Sequence, residues 1–229
     1  MLNLKAIAVA AIALPGAAHA LTIDPFTTPS EAEVNSGSVG DTDSDGPVAL
    51  SLGSRTNTVT ITDVGLPGFA NASSEIANNA NGRFWISNNG SPATESDATL
   101  FYDFGTGLDL SGFVGFDFGT VFLAEQGFTF NLDAEVASSA GTGGTTFSFT
   151  DADIGTALTA SFAAFAGVDF GDVESLTLTL STAPGQGAGD VTLSGGVSVA
   201  PIPVPAALPL LASGLVALGA LSRRRAARA

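Results

Sequence analysis

Short runs of alternating polar and apolar residues are the feature that most constrains how this 229-residue chain folds. The clearest runs are Thr58–Thr62, Phe128–Asp133 and Ser175–Ser181. Because successive side chains of a β-strand point to opposite faces, a period of two predicts strands with one buried face and one exposed face. No segment outside the two ends of the chain has a convincing helical period, so the alternation predicts an all-β protein.

Further strands are expected where β-branched and aromatic residues lie between clusters of Gly, Asn and Asp. They are Val48–Leu52, Arg83–Ser87, Thr99–Phe104, Phe113–Phe118, Thr145–Thr150, Ala157–Phe162 and Val191–Val199. About ten short strands in roughly 180 residues predict a two-sheet antiparallel β-sandwich. Thr would line its outer faces, and Phe, Leu and Val its inner faces.

The charges are unevenly distributed along the chain. All 22 acidic residues lie between Asp24 and Asp190, where the only bases are Arg55 and Arg83. Because such a surface repels phosphate backbones, we exclude nucleic acid as a partner. The chain has no Cys, and its only His and only Lys lie within residues 1–20. No motif selects a carboxylate pair for glycoside hydrolysis. We therefore predict that the protein is not an enzyme.

Residues 1–20 are typical of a secretory signal peptide. Lys5 supplies the positive charge, and Ala6–Leu14 forms the apolar region. Ala18 and Ala20 provide the small residues of a cleavage site for signal peptidase, which would cut after Ala20. The alternative is a short buried helix.

The chain ends in an apolar segment followed by arginines. Ala206–Leu221 carries no charge, and as a helix it would span about 24 Å, slightly less than a ~30 Å hydrocarbon core. We predict a transmembrane helix at 206–222 in the inner membrane, with a buried helix of the domain as the alternative. The arginine cluster that follows comprises Arg223, Arg224, Arg225 and Arg228. By the positive-inside rule, it places 223–229 in the cytoplasm and the acidic middle outside.

A proline-rich motif precedes this segment and consists of Ile202, Pro203, Val204, Pro205 and Ala206. Together with the apolar helix and the arginine cluster, it resembles the PEP-CTERM class of bacterial sorting tails. The motif is similar to the VPLPA variant, with Ile for the first Val and Val for Leu. The resemblance implies recognition by an exosortase-type processing enzyme, removal of the tail, and delivery to the cell surface or the exopolysaccharide matrix. The domains would then be a 21–200 ectodomain and a 201–205 sorting motif.

The middle of the chain carries a second resemblance. The segments SLGSRTNTVTIT (51–62), TLFYDF (99–104) and GDVTLSGGVSV (189–199) are similar, in order, to the ectodomains of many surface proteins with such tails. Those ectodomains resemble jelly-roll sandwiches related in shape to carbohydrate-binding modules. The resemblance implies a jelly-roll-like sandwich over most of 21–200.

The stretch DTDSDG contains the residues most typical of metal binding. Asp41, Asp43 and Asp45 place carboxylates at alternate positions before a glycine, a pattern that can wrap oxygen ligands around Ca²⁺. An EF-hand is excluded because its twelfth loop position is Leu52 and no flanking helices are predicted. A calcium loop of another type is one hypothesis, and a flexible acidic loop is the favoured alternative.

Trp85 and Tyr102 are the only Trp and the only Tyr in the chain. Their rings are candidates for stacking on sugars, with Arg83, Asn88 and Asn89 as polar neighbours of Trp85 and Asp103 as the polar neighbour of Tyr102. The alternative is that both rings belong to the core or the rim. The tripeptide Asp-Phe-Gly occurs three times, and we interpret it as an inward phenylalanine followed by a turn glycine. It does not indicate a kinase, because the other kinase motifs are missing.

Together these features predict an exported, non-catalytic cell-surface or matrix protein with a structural or interaction role. The alternative is a carbohydrate-binding module that binds exopolysaccharide, with or without the help of Ca²⁺.

Overall fold

Alternating inward and outward side chains generate strands along nearly the whole middle of the chain. The computed structural model describes residues 19–64, 70–77, 82–90, 94–187 and 189–203. The strands are β1 (Leu21–Asp24), β2 (Ser30–Gly37), β3 (Thr42–Leu50), β4 (Gly53–Asp63), β5 (Ala70–Ala77), β6 (Arg83–Gly90), β7 (Glu95–Leu108), β8 (Phe113–Ala124), β9 (Phe130–Ser138), β10 (Gly141–Phe149), β11 (Ala157–Ser161), β12 (Val173–Thr182), β13 (Val191–Ser194) and β14 (Val197–Pro201). Two 3₁₀ helices, Asp151–Asp153 and Phe162–Ala164, flank β11.

The strands form two sheets. Sheet A has eight strands in the order β1-β14-β8-β13-β6-β5-β2, and β11 also pairs with β8. Sheet B has six strands in the order β10-β9-β12-β7-β4-β3. All the pairings in both sheets are antiparallel. The prediction of an all-β, jelly-roll-like antiparallel sandwich is confirmed.

Each segment predicted as a strand overlaps a strand of the structure. The predicted strand Val191–Val199 is divided into β13 and β14 by Gly195 and Gly196. The sequence analysis did not find β1, β2 or β5. In β2 and β5 the inward positions are mostly Ala and Ser, so their strand structure depends on pairing with neighbours more than on intrinsic propensity.

The hydrophobic core lies between the two sheets, within a compact unit formed by Ala20–Pro201. Aromatic rings provide much of its volume. The largest fully buried aromatic side chains are Tyr102, Phe26, Phe84, Phe116, Phe118, Phe130 and Phe165. A second, smaller cluster packs between β2, β4 and β5 and contains Ala32, Val34, Val59, Ile61, Ala70 and Ala72.

The three Asp-Phe-Gly tripeptides share one local hydrogen bond. In each one the aspartate Oδ1 accepts a hydrogen bond from the glycine N–H, at 2.8 Å for Gly105, 2.9 Å for Gly119 and 2.8 Å for Gly171. The phenylalanines are buried or pack against the core. Gly105 and Gly119 have positive φ angles of 65° and 90°, which residues with a Cβ rarely adopt. The interpretation as inward phenylalanines followed by turn glycines is confirmed.

The terminal predictions fall largely outside the described residues. Outside them lie the signal peptide up to Ala18 and the tail from Val204 onward, including Pro205, Ala206, Arg223, Arg224, Arg225 and Arg228. Both stay predictions. In the part of the chain that the structure describes, no helix has the length and hydropathy needed to cross a bilayer.

Candidate functional site

The acidic motif belongs to a strand and not to a flexible loop. It forms the start of β3, where Asp43 and Asp45 project from the same side because they are two residues apart. Asp43 Oδ2 accepts a hydrogen bond from the Glu33 N–H at 2.9 Å, and Asp45 Oδ2 accepts one from the Glu31 N–H at 3.0 Å. Glu31 and Glu33 lie on β2, the edge strand of sheet A. The two carboxylates therefore cover backbone donors of an edge strand, which limits pairing with other chains.

Asp41 lies in the turn between β2 and β3. Its Oδ2 accepts a hydrogen bond from the Ser38 N–H of the same turn at 2.7 Å. Asp41, Asp43 and Asp45 thus each accept a hydrogen bond from a different backbone N–H. Within the described ranges, no three carboxylate or imidazole side chains form a group that could hold a metal ion. Calcium binding by this motif stays a prediction.

Tyr102 lies in the core and cannot contact a sugar at the surface. Its side chain is fully buried, and its hydroxyl donates a hydrogen bond to Asp24 Oδ2 at 3.1 Å. Burial and the neighbouring Asp24 carboxylate raise the pKa of Tyr102 well above its ordinary value, so the hydroxyl keeps its proton. The prediction that Tyr102 helps to bind a glycan is wrong, because its ring has no face at the surface.

Tyr102 belongs to a buried polar cluster that joins the two sheets. Arg55 on β4 forms an ion pair through Nη1 with Asp24 Oδ2 on β1, and both side chains are fully buried. Arg55 Nη2 donates to the Thr28 carbonyl at 2.7 Å and to Ser30 Oγ at 3.2 Å. These bonds fix the segment between β1 and β2 onto sheet B, so the cluster is structural.

Trp85, in contrast, lies on the outer face of sheet A. It is half-buried, whereas its neighbours Phe84 and Ile86 point into the core. The strand register places Trp85 at the centre of a row that crosses five strands. The members of this Trp85 row are Leu123 on β8, Thr192 on β13, Trp85 on β6, Glu75 on β5 and Glu31 on β2. With neighbouring strands about 4.8 Å apart, the row extends over roughly 19 Å.

One end of the Trp85 row is apolar and exposed. An irregularity in the β13–β8 register lets two consecutive residues of β8, Phe122 and Leu123, reach the surface, where they are 43% and 44% exposed. The Arg83 guanidinium lies over the Phe122 ring, 3.8 Å from its centroid. This cation–π contact holds Phe122 in place beside the row while leaving much of its surface accessible.

The other end of the row is acidic. Glu31 and Glu75 are directly opposite each other on β2 and β5, a like-charge pairing that destabilises a sheet. Burial, and then the Glu31 charge, raise the pKa of Glu75 above its ordinary value. Asp45 brings a third carboxylate to this end. The three carboxylates line an open depression of about 260 Å³, together with Pro29, Ser30 and Ile76.

Of the polar neighbours predicted for the two rings, Arg83 contributes to this surface, whereas Asn88 and Asp103 do not; the Asn89 side chain lies outside the described part of the chain. Asn88 is buried: its Oδ1 accepts a hydrogen bond from Ser96 Oγ, and its Nδ2 donates to the Gly189 carbonyl at 3.1 Å. Asp103 lies on β7 in sheet B, where it forms an Asx turn with Gly105.

Sequence reasoning missed five residues of the Trp85 row and its flank: Thr192, Glu31, Glu75, Phe122 and Leu123. One signal for the last two was available. In Val121-Phe122-Leu123 three apolar residues follow one another inside an otherwise alternating strand, so at least one of them has to face outward. The two glutamates gave no comparable signal, because β2 and β5 themselves were not predicted.

No family model matches the chain, and no curated protein gives a significant match. Several solved structures show a similar arrangement of strands. The family 11 carbohydrate-binding module of the cellulase Lic26A-Cel5E of Clostridium thermocellum has a TM-score of 0.36 at 10% identity, over 80% of this chain and 95% of that chain. TmCBM61 in complex with β-1,4-galactotriose has a TM-score of 0.30 at 10% identity, over 61% and 80%. The agarase AgWH50C has a TM-score of 0.36 at 7% identity, over 76% and 25%.

Proposed function

We propose that the protein is an exported, non-catalytic protein that binds polysaccharide at the cell surface or in the extracellular matrix. The observation that carries this proposal is the Trp85 row with the adjoining Phe122 ring. Exposed apolar side chains that are grouped on one sheet face and bordered by polar residues are typical of an interaction site. Trp and Phe rings offer flat apolar area, and carboxylates accept hydrogen bonds, which together match the apolar faces and the hydroxyl groups of sugars.

The position of the row within sheet A favours a ligand that binds through side chains. The row crosses β8, β13, β6, β5 and β2, which are hydrogen-bonded to one another. The inner strands of the row are paired on both sides, and at the edge strand β2 the N–H groups of Glu31 and Glu33 are bonded to Asp45 and Asp43. These contacts oppose the addition of a peptide as a further strand. A sugar chain needs no backbone partners and can lie across the strands along the row.

Replacing Trp85 by alanine should weaken binding to the exopolysaccharide of the producing organism about 30-fold. The expectation follows from the roughly 2 kcal/mol or more that a central aromatic contact contributes to a binding surface. The measurement is retention of the full chain, purified in mild detergent, on immobilised exopolysaccharide. Because Trp85 is the only Trp in the chain, the ligand should also change the fluorescence of the unsubstituted protein.

Phe101→Ala is the matched control, since Phe101 is an exposed aromatic residue, 42% accessible, on sheet B. If the two variants lost retention equally, or if Trp85→Ala left retention unchanged, the Trp85 row would not be the binding site. Absence of retention in the unsubstituted protein would argue for a structural role without glycan binding. Repeating the measurement with Ca²⁺ and with a chelator tests the calcium hypothesis: if Asp41, Asp43 and Asp45 hold calcium, chelation should lower retention.

Export and sorting form a separate part of the proposal. The signal peptide and the tail that resembles an exosortase substrate support transient anchoring in the inner membrane followed by surface delivery. Deleting 206–229 should leave the protein in the periplasm or the medium, with little at the surface, because the chain would lose its membrane anchor. Fractionation and surface labelling of producing cells measure this distribution. Unchanged surface delivery after the deletion would show that the tail is not the sorting signal.

A further inference from the structure

The acidic end of the Trp85 row indicates the chemical class of the ligand. Glu31 and Glu75 lie opposite each other with no ion-pair partner among the described residues, where the single salt bridge joins Arg55 and Asp24. The described part of the chain contains only one other base, Arg83, whose guanidinium lies over the Phe122 ring. The carboxylates therefore stand uncompensated beside an aromatic ring.

This uncompensated charge has a cost that a cationic ligand would remove. Two carboxylates opposite each other on neighbouring strands repel, and this repulsion is the second cause, after burial, of the raised pKa of Glu75. A positive group between Glu31 and Glu75 would convert the repulsion into two attractive contacts. These glutamates and Asp45 line a depression of about 260 Å³, which is large enough to admit an ammonium group together with the atoms that carry it.

Trp85 is the cross-strand neighbour of Glu75, so an aromatic side chain and a carboxylate project from adjacent strands whose backbones are about 4.8 Å apart. A sugar with a free amino group has both complementary features on one ring. Its carbon–hydrogen face can pack on the indole, and its ammonium group can reach the carboxylates. Neutral sugars would leave the two glutamates unneutralised, and acidic sugars would be repelled by them.

We infer that the Trp85 row binds a polysaccharide whose sugar units carry free amino groups, with Glu31 and Glu75 contacting the ammonium groups and Trp85 the sugar ring. The inference rests on the proposed polysaccharide-binding function and narrows it to one class of ligand. A lysine-rich peptide has the same charge, but at the edge strand β2 the N–H groups of Glu31 and Glu33 are already bonded to Asp45 and Asp43, which opposes strand addition there.

The test compares oligomers of β-1,4-linked glucosamine with N-acetylglucosamine oligomers of equal length. The full chain is titrated with each at a pH below the pKa of the sugar amine, and Trp85 fluorescence is followed. The glucosamine oligomer should bind about tenfold more tightly, the effect expected of two partly screened carboxylate contacts. Added salt should reduce the difference. Glu75→Gln should abolish most of the difference in affinity between the two oligomers.

Glu135→Gln is the control for charge, because Glu135 is an exposed carboxylate on β9 of sheet B. Equal affinity for the two oligomers, or an equal effect of both substitutions, would overturn the amino-sugar inference. Polysaccharide binding itself would still stand if exopolysaccharide retention depended on Trp85. A lysine peptide of equal charge that bound as tightly as the glucosamine oligomer would overturn the assignment to a sugar. If exopolysaccharide retention did not depend on Trp85, the proposed function of the Trp85 row would be overturned as well.

Discussion

Replacing Arg55 by methionine is expected to lower the free energy of unfolding by about 3–5 kcal/mol, the usual cost of removing one partner of a buried ion pair. The substitution leaves the Asp24 carboxylate fully buried without its cation. It also removes the hydrogen bonds to the Thr28 carbonyl and Ser30 Oγ. The segment between β1 and β2 would then lose its polar attachment to sheet B. Urea unfolding of the full chain, followed by Trp85 fluorescence, measures the change.

The double substitution Arg55→Met with Asp24→Asn provides the control. It removes the buried negative charge as well, so it should cost less than Arg55→Met alone, even though two residues are changed. The oxygen of the new amide can still accept the hydrogen bond from the Tyr102 hydroxyl, but the Phe26 N–H, which donates to Asp24 Oδ1 at 2.8 Å, would then face the amide nitrogen, so the double variant keeps a residual cost. A single substitution that costs less than about 1 kcal/mol, or a double that costs the sum of both singles, would show that the ion pair is not the main source of the stability.

Alternation predicted those strands whose inward side chains are large and apolar. In β12, Leu176, Leu178 and Leu180 are buried, and the intervening polar residues define the period without ambiguity. In β2 and β5 the inward residues include Ala32, Ala72 and Ser74, which are too small and too polar for the same pattern to emerge. Such strands form because their neighbours pair with them, information that a single segment does not contain.

The same alternation could have assigned Tyr102 to the core. Tyr102 is in phase with Leu100 and Phe104, all three of which are buried, whereas Phe101 is out of phase and exposed. Trp85 is out of phase with Phe84 and therefore faces outward. The sequence analysis placed both rings in one predicted site. The phase of alternation shows instead that Tyr102 faces the core and Trp85 the surface.

The partners of Trp85 could not be predicted, because the strand register alone brings them together. Glu31 and Leu123 belong to β2 and β8 at opposite ends of the row, far apart in the sequence. The acidic motif illustrates the same limit. The spacing of Asp43 and Asp45 is compatible with metal binding, yet both carboxylates accept hydrogen bonds from backbone N–H groups of β2. The sequence analysis did not predict that strand.

Phe116→Ala is expected to lower the free energy of unfolding by about 3–5 kcal/mol, as large-to-small substitutions of buried phenylalanines do. Phe116 on β8 is 1% exposed and is the hub of an aromatic cluster. Its ring centroid lies 5.2 Å from Phe162, 5.5 Å from Phe118 and 5.5 Å from Phe165. Removing the ring leaves a cavity and ends these favourable aromatic contacts. Thermal and urea unfolding of the full chain measure the loss.

Phe116→Leu separates the cost of the cavity from the cost of the lost aromatic contacts, and Phe101→Ala is the control for removing a phenylalanine from the surface. Leucine fills most of the cavity but restores no aromatic contact, so Phe116→Leu should cost clearly less than Phe116→Ala. Phe101 lies on the surface of sheet B, and Phe101→Ala should change stability by only about 0.5 kcal/mol. Phe162 and Phe170 stack at 3.8 Å and both pack against Phe116. Their segment should therefore exchange backbone amide hydrogens faster in Phe116→Ala. Unchanged exchange there would mean that this segment is held by contacts other than the Phe116 ring.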